Sequence, residues 1–345
     1  MQIACVILAA GLGTRMKSGR AKVLHPVGGV PMIAHPVRLA RDLDARRVIA
    51  VLGHQLADVQ AALDARFGAG TVEVAEQRQQ LGTGHAVQQA LPLLADFEGA
   101  VVILYGDVPL LRLDTVRRLT EAFAAAGVLA CVTMRPADPT GYGRMVRDAA
   151  GALVGITEHK DATAAERAIG EVNAGIYCVD AGFLRRALAT LENRNAQREF
   201  YLTDLVAAAA RVSRVATVAA PPEEVMGIND RVELARADAL WRRAACEQLM
   251  RGGVTIRDPA TCYLDADTTV GRDADLGPNV VLSRARVGDG AVLEAGCVLR
   301  GATVGPGARI GAHAVVVGAE IPAGGSVAPL TRIEGEPPSE GLTAC

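Results

Sequence analysis

From Met1 to about Gly227, short apolar runs alternate with amphipathic stretches. The runs Ile3–Leu8, Val48–Leu52, Val72–Ala75, Val101–Tyr105, Val128–Met134 and Val172–Val179 are rich in Val and Ile and have the length of buried strands. The stretches Val30–Asp42, Gln55–Phe67, Thr83–Leu94 and Thr115–Ala126 carry apolar residues at helical spacing. Strands and helices in alternation predict βαβ units and a mostly parallel sheet covered on both faces.

A longer helix is predicted from Asp230 to Arg251. Asp230 can cap its N-terminus, Glu233 stands three residues on as in a capping box, and Gly252-Gly253 stops it. Beyond it the chain becomes periodic. Val270, Leu276, Leu282, Val287, Leu293, Leu299, Val304, Ile310, Val316, Ile321 and Val327 are spaced 6, 6, 5, 6, 6, 5, 6, 6, 5 and 6 residues apart. Positions 270, 287, 304 and 321 therefore recur every 17 residues, three short steps to each turn of a triangular coil. Glycine follows the aliphatic residue at Gly271, Gly277, Gly288, Gly305 and Gly311, where a tight corner is expected to need it. This hexapeptide rhythm predicts a parallel β-helix with the aliphatic side chains inside. The tail from Glu334, with Pro337-Pro338, is aperiodic and expected to be mobile. The domains expected are thus residues 1–228, a connector helix over 229–252, the β-helix over 253–333 and a flexible tail over 334–345.

Composition narrows the function classes. The 345 residues carry 36 basic and 38 acidic side chains, a net charge of −2, which argues against a dedicated binder of nucleic acid or anionic membrane. Aromatic residues are only 3%, leaving few platforms on which single-stranded bases could stack. The seven cysteines are scattered, odd in number and free of C-x-x-C spacing, as expected of reduced thiols in a cytoplasmic protein. No apolar stretch approaches the ~20 residues of a membrane span.

The densest chemistry follows the first strand, in Leu8-Ala-Ala-Gly-Leu-Gly-Thr-Arg-Met16 with Lys22 beyond it. Gly11 and Gly13 let backbone N–H groups approach a phosphate, and Arg15 and Lys22 add a forked and a point-like cation. Met16 stands where a dinucleotide fingerprint needs glycine, and the G-K-[ST] ending of a Walker loop is missing. Asp107 follows the run Val101–Tyr105, which puts a carboxylate at the carboxyl end of a sheet strand. It is either a hard ligand suited to Mg²⁺ or a turn former ahead of Pro109. Asn229 either caps the connector helix or leaves that task to Asp230 and keeps its amide oxygen free. Gln77, Gln80, Gly82 and Thr83 carry groups able to read a nucleobase edge. His25, His35, His54, His85 and His159 show no metal-ligand spacing, and His313 reads as a surface or corner residue of the repeat.

These residues resemble a known family. LAAGLGTRM, then Lys22-Val-Leu and Gly29-Val-Pro-Met32, is similar to the sugar-phosphate nucleotidyltransferases, and more narrowly to the bifunctional N-acetylglucosamine-1-phosphate uridyltransferase / glucosamine-1-phosphate acetyltransferase family. The similarity continues through Gln80-Leu-Gly-Thr-Gly-His-Ala86, Tyr105-Gly-Asp-Val-Pro-Leu110, Gly141-Tyr-Gly-Arg144, Glu158-His-Lys-Asp161, Val172-Asn-Ala-Gly-Ile-Tyr177, Tyr201-Leu-Thr-Asp204 and Gly227-Ile-Asn229. The resemblance implies an α/β fold: a Rossmann-like, GT-A-like nucleotidyltransferase domain followed by a short left-handed parallel β-helix. It implies Mg²⁺ on Asp107 and Asn229, with Arg15 and Lys22 as the catalytic cations. It implies that UTP and a sugar 1-phosphate are held by Leu8, Ala10, Gly11, Gly13, Gln77, Gln80, Gly82, Thr83, Tyr105 and Gly106, with Gly141, Glu158 and Asn173 on the sugar side.

The implied reaction is the joining of UTP and N-acetylglucosamine 1-phosphate into UDP-N-acetylglucosamine and pyrophosphate. The family's second reaction is not expected, because the repeat ends near Val327 and no acetyltransferase motif follows. A homotrimer through the flat β-helix faces is expected, with no nucleic acid or membrane partner. Three rival readings remain. They are a nucleotidyltransferase for the 1-phosphate of glucose, glucosamine or N-acetylmuramate (or for another nucleotide), an acyltransferase built on the solenoid, and a sensor that binds nucleotide sugars without turnover.

Overall fold

The computed structural model describes residues 1–335; of the tail expected from Glu334, Glu334 itself belongs to a strand, Arg332–Glu334, paired with Val315–Val317, and the rest from residue 336 lies outside the described residues. The chain divides into two compact units, residues 1–25 with 31–234 and residues 26–30 with 235 onward.

Unit 1 is built on a sheet whose strands, in chain order, are β1 (Ile3–Ala9), β2 (Arg47–Leu52), β3 (Glu73–Glu76), β4 (Ala100–Tyr105), β5 (Leu129–Met134), β6 (Arg144–Arg147), β7 (Leu153–Thr157), β8 (Val172–Asp180) and β9 (Ala216–Ala219). Across the sheet the order is β9-β5-β8-β4-β1-β2-β3, with β6 and β7 added beside β8. The strands β4, β1, β2 and β3 run parallel, whereas β8 is antiparallel to both of its neighbours. Successive side chains of β1 serve opposite faces, Ala4, Val6 and Leu8 in one core cluster and Cys5 and Ile7 in the other. Both faces are covered, which is why β1 reads as a continuous apolar run. Helices Ala34–Asp42, Leu56–Phe67 and Leu113–Ala126 pack on the Cys5 face, and Thr83–Ala90, Ala181–Leu188 and Asp204–Ala210 on the other.

Strand order reverses at β1. The chain steps outward to β2 and β3, then returns to place β4 on the other side of β1. The crevice at the carboxyl ends of β1 and β4 is the position where open α/β sheets bind ligands.

Two predicted helices are shorter than their periodicity suggested. The first starts at Ala34 rather than Val30, because Val30–Pro31 pairs with Pro26–Val27 as a small hairpin turned by Gly28 (φ 56°) and Gly29 (φ 71°). The third ends as α-helix at Ala90 and finishes as a 3₁₀ turn over Leu91–Leu94, where Pro92 cannot supply a backbone donor.

The long helix runs over Arg231–Arg251. Asp230 Oδ1 accepts from the backbone N–H groups of Val232 at 2.8 Å and Glu233 at 2.9 Å, while Glu233 reaches back to the N–H of Asn229 at 2.6 Å. The capping box is therefore displaced by one residue on its return arm.

In unit 2 the repeat folds into three parallel sheets of two- and three-residue strands, stacked coil on coil. This is the parallel β-helix of the left-handed hexapeptide type. Leu276, Leu293, Ile310 and Val327 align in one sheet, Leu282, Leu299 and Val316 in the second, and Val287, Val304 and Ile321 in the third, all buried. A further coil begins at Thr255–Ile256 and Tyr263–Leu264. Its wider spacing hid it from the periodicity.

The corner glycines are needed for a different reason from the one expected. Gly271, Gly277, Gly288, Gly305 and Gly311 do not have positive φ; a Cβ at Gly288 would stand 2.6 Å from Pro306 N, and one at Gly305 2.5 Å from Ala323 N. They are small because the next coil passes directly over them. The left-handed backbone falls instead on Asp273, Asn279, Arg284, Gly290, Gly296, Gly301, Gly307, His313, Gly318, Gly324 and Leu330, which repeat the same five- and six-residue steps. His313 (φ 57°) is such a corner and is exposed.

Candidate functional site

A cavity of about 260 Å³ opens where β1 and β4 end. It is lined by Leu8, Ala9, Ala10, Gly11, Lys22, Val23, Gln77, Gln80, Gly82, Thr83, Ala86, Tyr105, Asp107 and Glu199. Most of the expected nucleotide-side residues thus share one concave surface, all within unit 1.

The glycine loop leaves β1 at Ala10 and turns through Gly13, whose φ is 61°. A Cβ there would meet Lys22 Cβ at 2.7 Å, so glycine serves both the left-handed turn and the close passage of the Lys22 segment. Arg15 lies in the 3₁₀ turn Thr14–Met16, exposed and with no hydrogen-bonding partner among the described residues. It is not among the residues lining the cavity. Gly106 N donates to Leu8 O at 2.9 Å, tying the ends of β1 and β4 together.

Lys22 Nζ donates to Asp107 Oδ2 and lies 3.5 Å from Asn229 Oδ1. Asp107 and Asn229 are 122 residues apart in sequence but adjacent here, because Ile228 N donates to Asp107 O at 3.0 Å. The Asn229 Nδ2 is spent on Gly227 O at 3.4 Å, which turns Oδ1 toward the lysine. A carboxylate and an amide oxygen already share one cation, the ammonium, so their donor chemistry fits a hard divalent ion that takes its remaining ligands from phosphate and water. Among the described residues no group of three or more His, Cys, Asp or Glu is placed to hold a metal by itself.

On the opposite wall the glutamines are less free than their side chains suggest. Gln77 is buried, and its Nε2 donates to Gly82 O at 3.1 Å beside His85 Nδ1. Gln80 Nε2 reaches Ala10 O at 3.4 Å, linking the two cavity walls. Thr83 Oγ1 accepts from Leu202 N at 3.2 Å. Burial above all, with Asp107 and Glu158 nearby, pushes the Tyr105 phenol well above its ordinary value, so it stays protonated.

Gly141, Glu158 and Asn173 do not line this cavity; the latter two meet around Gly143. Asn173 N donates to Gly143 O at 2.9 Å, and a Cβ at Gly143 would come 3.5 Å from the Glu158 carboxylate. Thr203 Oγ1 donates to Glu158 at 3.0 Å, and Asn173 Nδ2 to the Tyr177 hydroxyl at 2.6 Å. Burial raises the Glu158 carboxyl, opposed by the Thr203 bond and reinforced by Asp161, Asp204 and Glu199.

Four lining residues were not among those expected to bind: Ala9, Val23, Ala86 and Glu199. The first three sit beside residues that were named. Glu199 had no local signal; it reaches the cavity because the Glu199-Phe200 backbone packs over Gly82, where a Cβ would meet Phe200 O at 2.6 Å.

Fold and site together describe an α/β domain with a ligand crevice at the carboxyl ends of β1 and β4. Residues 5–173 match the family of MobA-like NTP transferase domains. A crystal structure of a Bacillus anthracis protein assigned as a glucose-1-phosphate thymidylyltransferase superposes with a TM-score of 0.54, covering 69% of this chain and 94% of that one at 20% identity, a likeness of fold. The particular resemblance is to the bifunctional protein GlmU. The chain is 53% identical to that of Anaeromyxobacter sp. strain Fw109-5 over 84% of its own length and 60% of the relative's, and 46% identical to that of Geotalea uraniireducens over 85% and 64%. It spans about three fifths of the length of the curated relatives it matches. No helix among the described residues is long and apolar enough to cross a membrane.

Proposed function

We propose that unit 1 is a uridylyltransferase that joins UTP to N-acetylglucosamine 1-phosphate, releasing pyrophosphate and forming UDP-N-acetylglucosamine. One observation carries this reading. The cavity at the reversal of strand order is bordered by the glycine loop at Gly11 and by Lys22 and Asp107, and the Lys22 ammonium joins Asp107 and faces Asn229 Oδ1 at 3.5 Å. The GlmU relatives support a sugar-phosphate uridylyltransferase.

The chemistry is an in-line displacement at the α-phosphorus. The sugar phosphate oxygen forms the new P–O bond while the bond to the β-phosphate oxygen breaks, and the electron pair leaves with pyrophosphate. The nucleophile is already an anion, so no side chain has to remove a proton. The task is to bring two anions together and to stabilise the charge that builds on the leaving group.

The Gly11–Gly13 backbone cradles the triphosphate. Arg15, exposed and uncommitted among the described residues, holds its outer end, and Lys22 steadies the phosphates as charge moves. Asp107 and Asn229 would hold Mg²⁺, which would add screening of the reacting phosphates. Gln77, Gln80, Gly82 and Thr83 present the uracil-reading edge, with the Gln77 side chain preset by Gly82 and His85. Glu158, Asn173 and Gly141 take the sugar.

Trimer formation through unit 2 belongs to the same reading. Val281, Val298 and Val315 align on the outer face of one β-helix sheet, in register with exposed Tyr263, while their neighbours Leu282, Leu299 and Val316 point inward. Sedimentation showing only monomer at micromolar concentration would remove that part. Acetyl transfer is left out of the proposal; the one histidine of the described coils, His313, is a corner residue. A cytoplasmic location accompanies the substrates.

The test is pyrophosphate release across a panel of nucleoside triphosphates and sugar 1-phosphates with Mg²⁺. The highest kcat/KM is expected for UTP with N-acetylglucosamine 1-phosphate. Preference for another pair would reassign the substrate, and binding without pyrophosphate release would make the chain a sensor.

A further inference from the structure

The Lys22 ammonium stands between the two oxygens assigned above to Mg²⁺. It is bound by the Asp107 carboxylate and faces the Asn229 amide oxygen at 3.5 Å, in a site where the Lys22 and Asp107 side chains are only 13% and 18% exposed. The backbone that carries the two oxygens is tied down: Ile228 N donates to the Asp107 backbone O at 3.0 Å, and Glu233 accepts from the Asn229 backbone N at 2.6 Å. The lysine is the movable partner. Its ammonium ends a flexible four-carbon stem, and it lines the open cavity into which that stem can turn.

We propose that Lys22 is a placeholder cation: it occupies the divalent-ion position between Asp107 and Asn229 until a polyphosphate draws it off, so that metal and nucleotide enter together. This deepens the reading above and rests on it for the identity of the two metal ligands.

Charge balance supplies the argument. The Lys22–Asp107 pair is neutral as it stands. A dication arriving alone must either sit beside an ammonium or separate it from its carboxylate partner, the one other carboxylate among the cavity-lining residues being Glu199, and both are unfavourable. A triphosphate supplies the missing anionic oxygens. Lys22 then exchanges a carboxylate for a phosphate, and Asp107 exchanges an ammonium for the metal, with every charge still paired. Because such coupling is reciprocal, the nucleotide must tighten the metal by the same factor as the metal tightens the nucleotide. A nucleoside without phosphates has nothing to offer the lysine and leaves the site closed to metal.

The experiment is a Mn²⁺ titration of the whole chain without sugar phosphate, free Mn²⁺ being read by electron paramagnetic resonance. It is run with and without a UTP analogue carrying a methylene bridge between the α- and β-phosphates. Wild type is expected to bind Mn²⁺ weakly alone and more tightly with the analogue. Lys22→Met and Lys22→Gln, checked for fold by circular dichroism, are expected to bind Mn²⁺ alone roughly tenfold more tightly than wild type, the order of effect expected when one close charge partner is removed. Adding Asp107→Asn to either variant should abolish that gain. Two folded variants that bind Mn²⁺ no more tightly than wild type would overturn the proposal, as would a gain that survives Asp107→Asn. The substrate reading fails separately, in the pyrophosphate assay of wild type. A chain that turns over UTP but shows no gain at Lys22 refutes only the placeholder; a gain at Lys22 in a chain that prefers another substrate pair refutes only the substrate.

Discussion

Unit 1 and unit 2 both stack parallel strands, yet they keep their information in different places. In unit 1 the central strands run six or seven residues, are buried on both faces, and end in loops that carry Gly11, Gly13 and Asp107. No two of those loops are alike. In unit 2 the strands have two or three residues and each coil from Val270 on repeats the one before, with aliphatic residues inside and left-handed corners at fixed steps. One unit spends its sheet on positioning dissimilar side chains at one end. The other spends its sequence on being the same at every level, which leaves few positions at which a site could be built.

The contrast can be broken by substitution, beginning where the largest effect is expected. Asp107→Ala should cut turnover at saturating Mg²⁺ by about 10²–10³, equivalent to about 3–4 kcal/mol, while the melting temperature stays close to wild type. Near-normal turnover would remove Asp107 from the machinery. Leu299→Ala does the converse. Leu299 is fully buried in the β-helix, and the cavity left behind should cost about 2–5 kcal/mol in urea unfolding, with turnover per folded molecule unchanged. A loss of activity without a loss of stability would break the division of labour.

Asp230→Ala removes the cap of the long helix, two hydrogen bonds to its first turn, and should cost about 1 kcal/mol. Because Asn229 is its neighbour, a rise in the Mg²⁺ concentration needed for half activity would sharpen the picture of how that amide is aimed.

The smallest effect concerns pH. Burial raises the Glu158 carboxyl above 4.5, so the folded chain holds that proton more tightly than the unfolded one. Its contribution to stability therefore falls as pH rises from 4.5 through the raised pKa. Glu158→Gln keeps an acceptor for Thr203 and removes this fall. Its stability relative to wild type should grow with pH across that window and then level off. Equal pH profiles in urea would contradict the assignment of burial as the cause.

The same contrast explains what could be read from the residues. The inward positions of the β-helix from Val270 on were visible because one rule repeats, whereas the first coil, inside the expected range 253–333, departs from that spacing. The cavity lining at Gly11, Lys22, Gln77, Gln80 and Asp107 was visible because each residue follows or flanks a strand end or glycine turn. The juxtaposition of Asp107 with Asn229 is a tertiary fact, made by the Ile228 hydrogen bond, and spacing alone cannot show it. Strands β6, β7 and β9 passed unnoticed because they are short edge or near-edge strands with weak apolar patterns, as in Arg144–Arg147. Glu199 was hidden for the reason most site residues are hidden: the chain brings it to the cavity from a segment with no motif of its own.

The most direct measurement is a crystal structure of the chain with UDP-N-acetylglucosamine and Mg²⁺. The account predicts the diphosphate between the Gly11–Gly13 backbone and Lys22, the metal between Asp107 and Asn229, and the lysine ammonium turned away from Asp107 toward phosphate. Product lodged away from the carboxyl ends of β1 and β4, or metal bound without either Asp107 or Asn229, would contradict it.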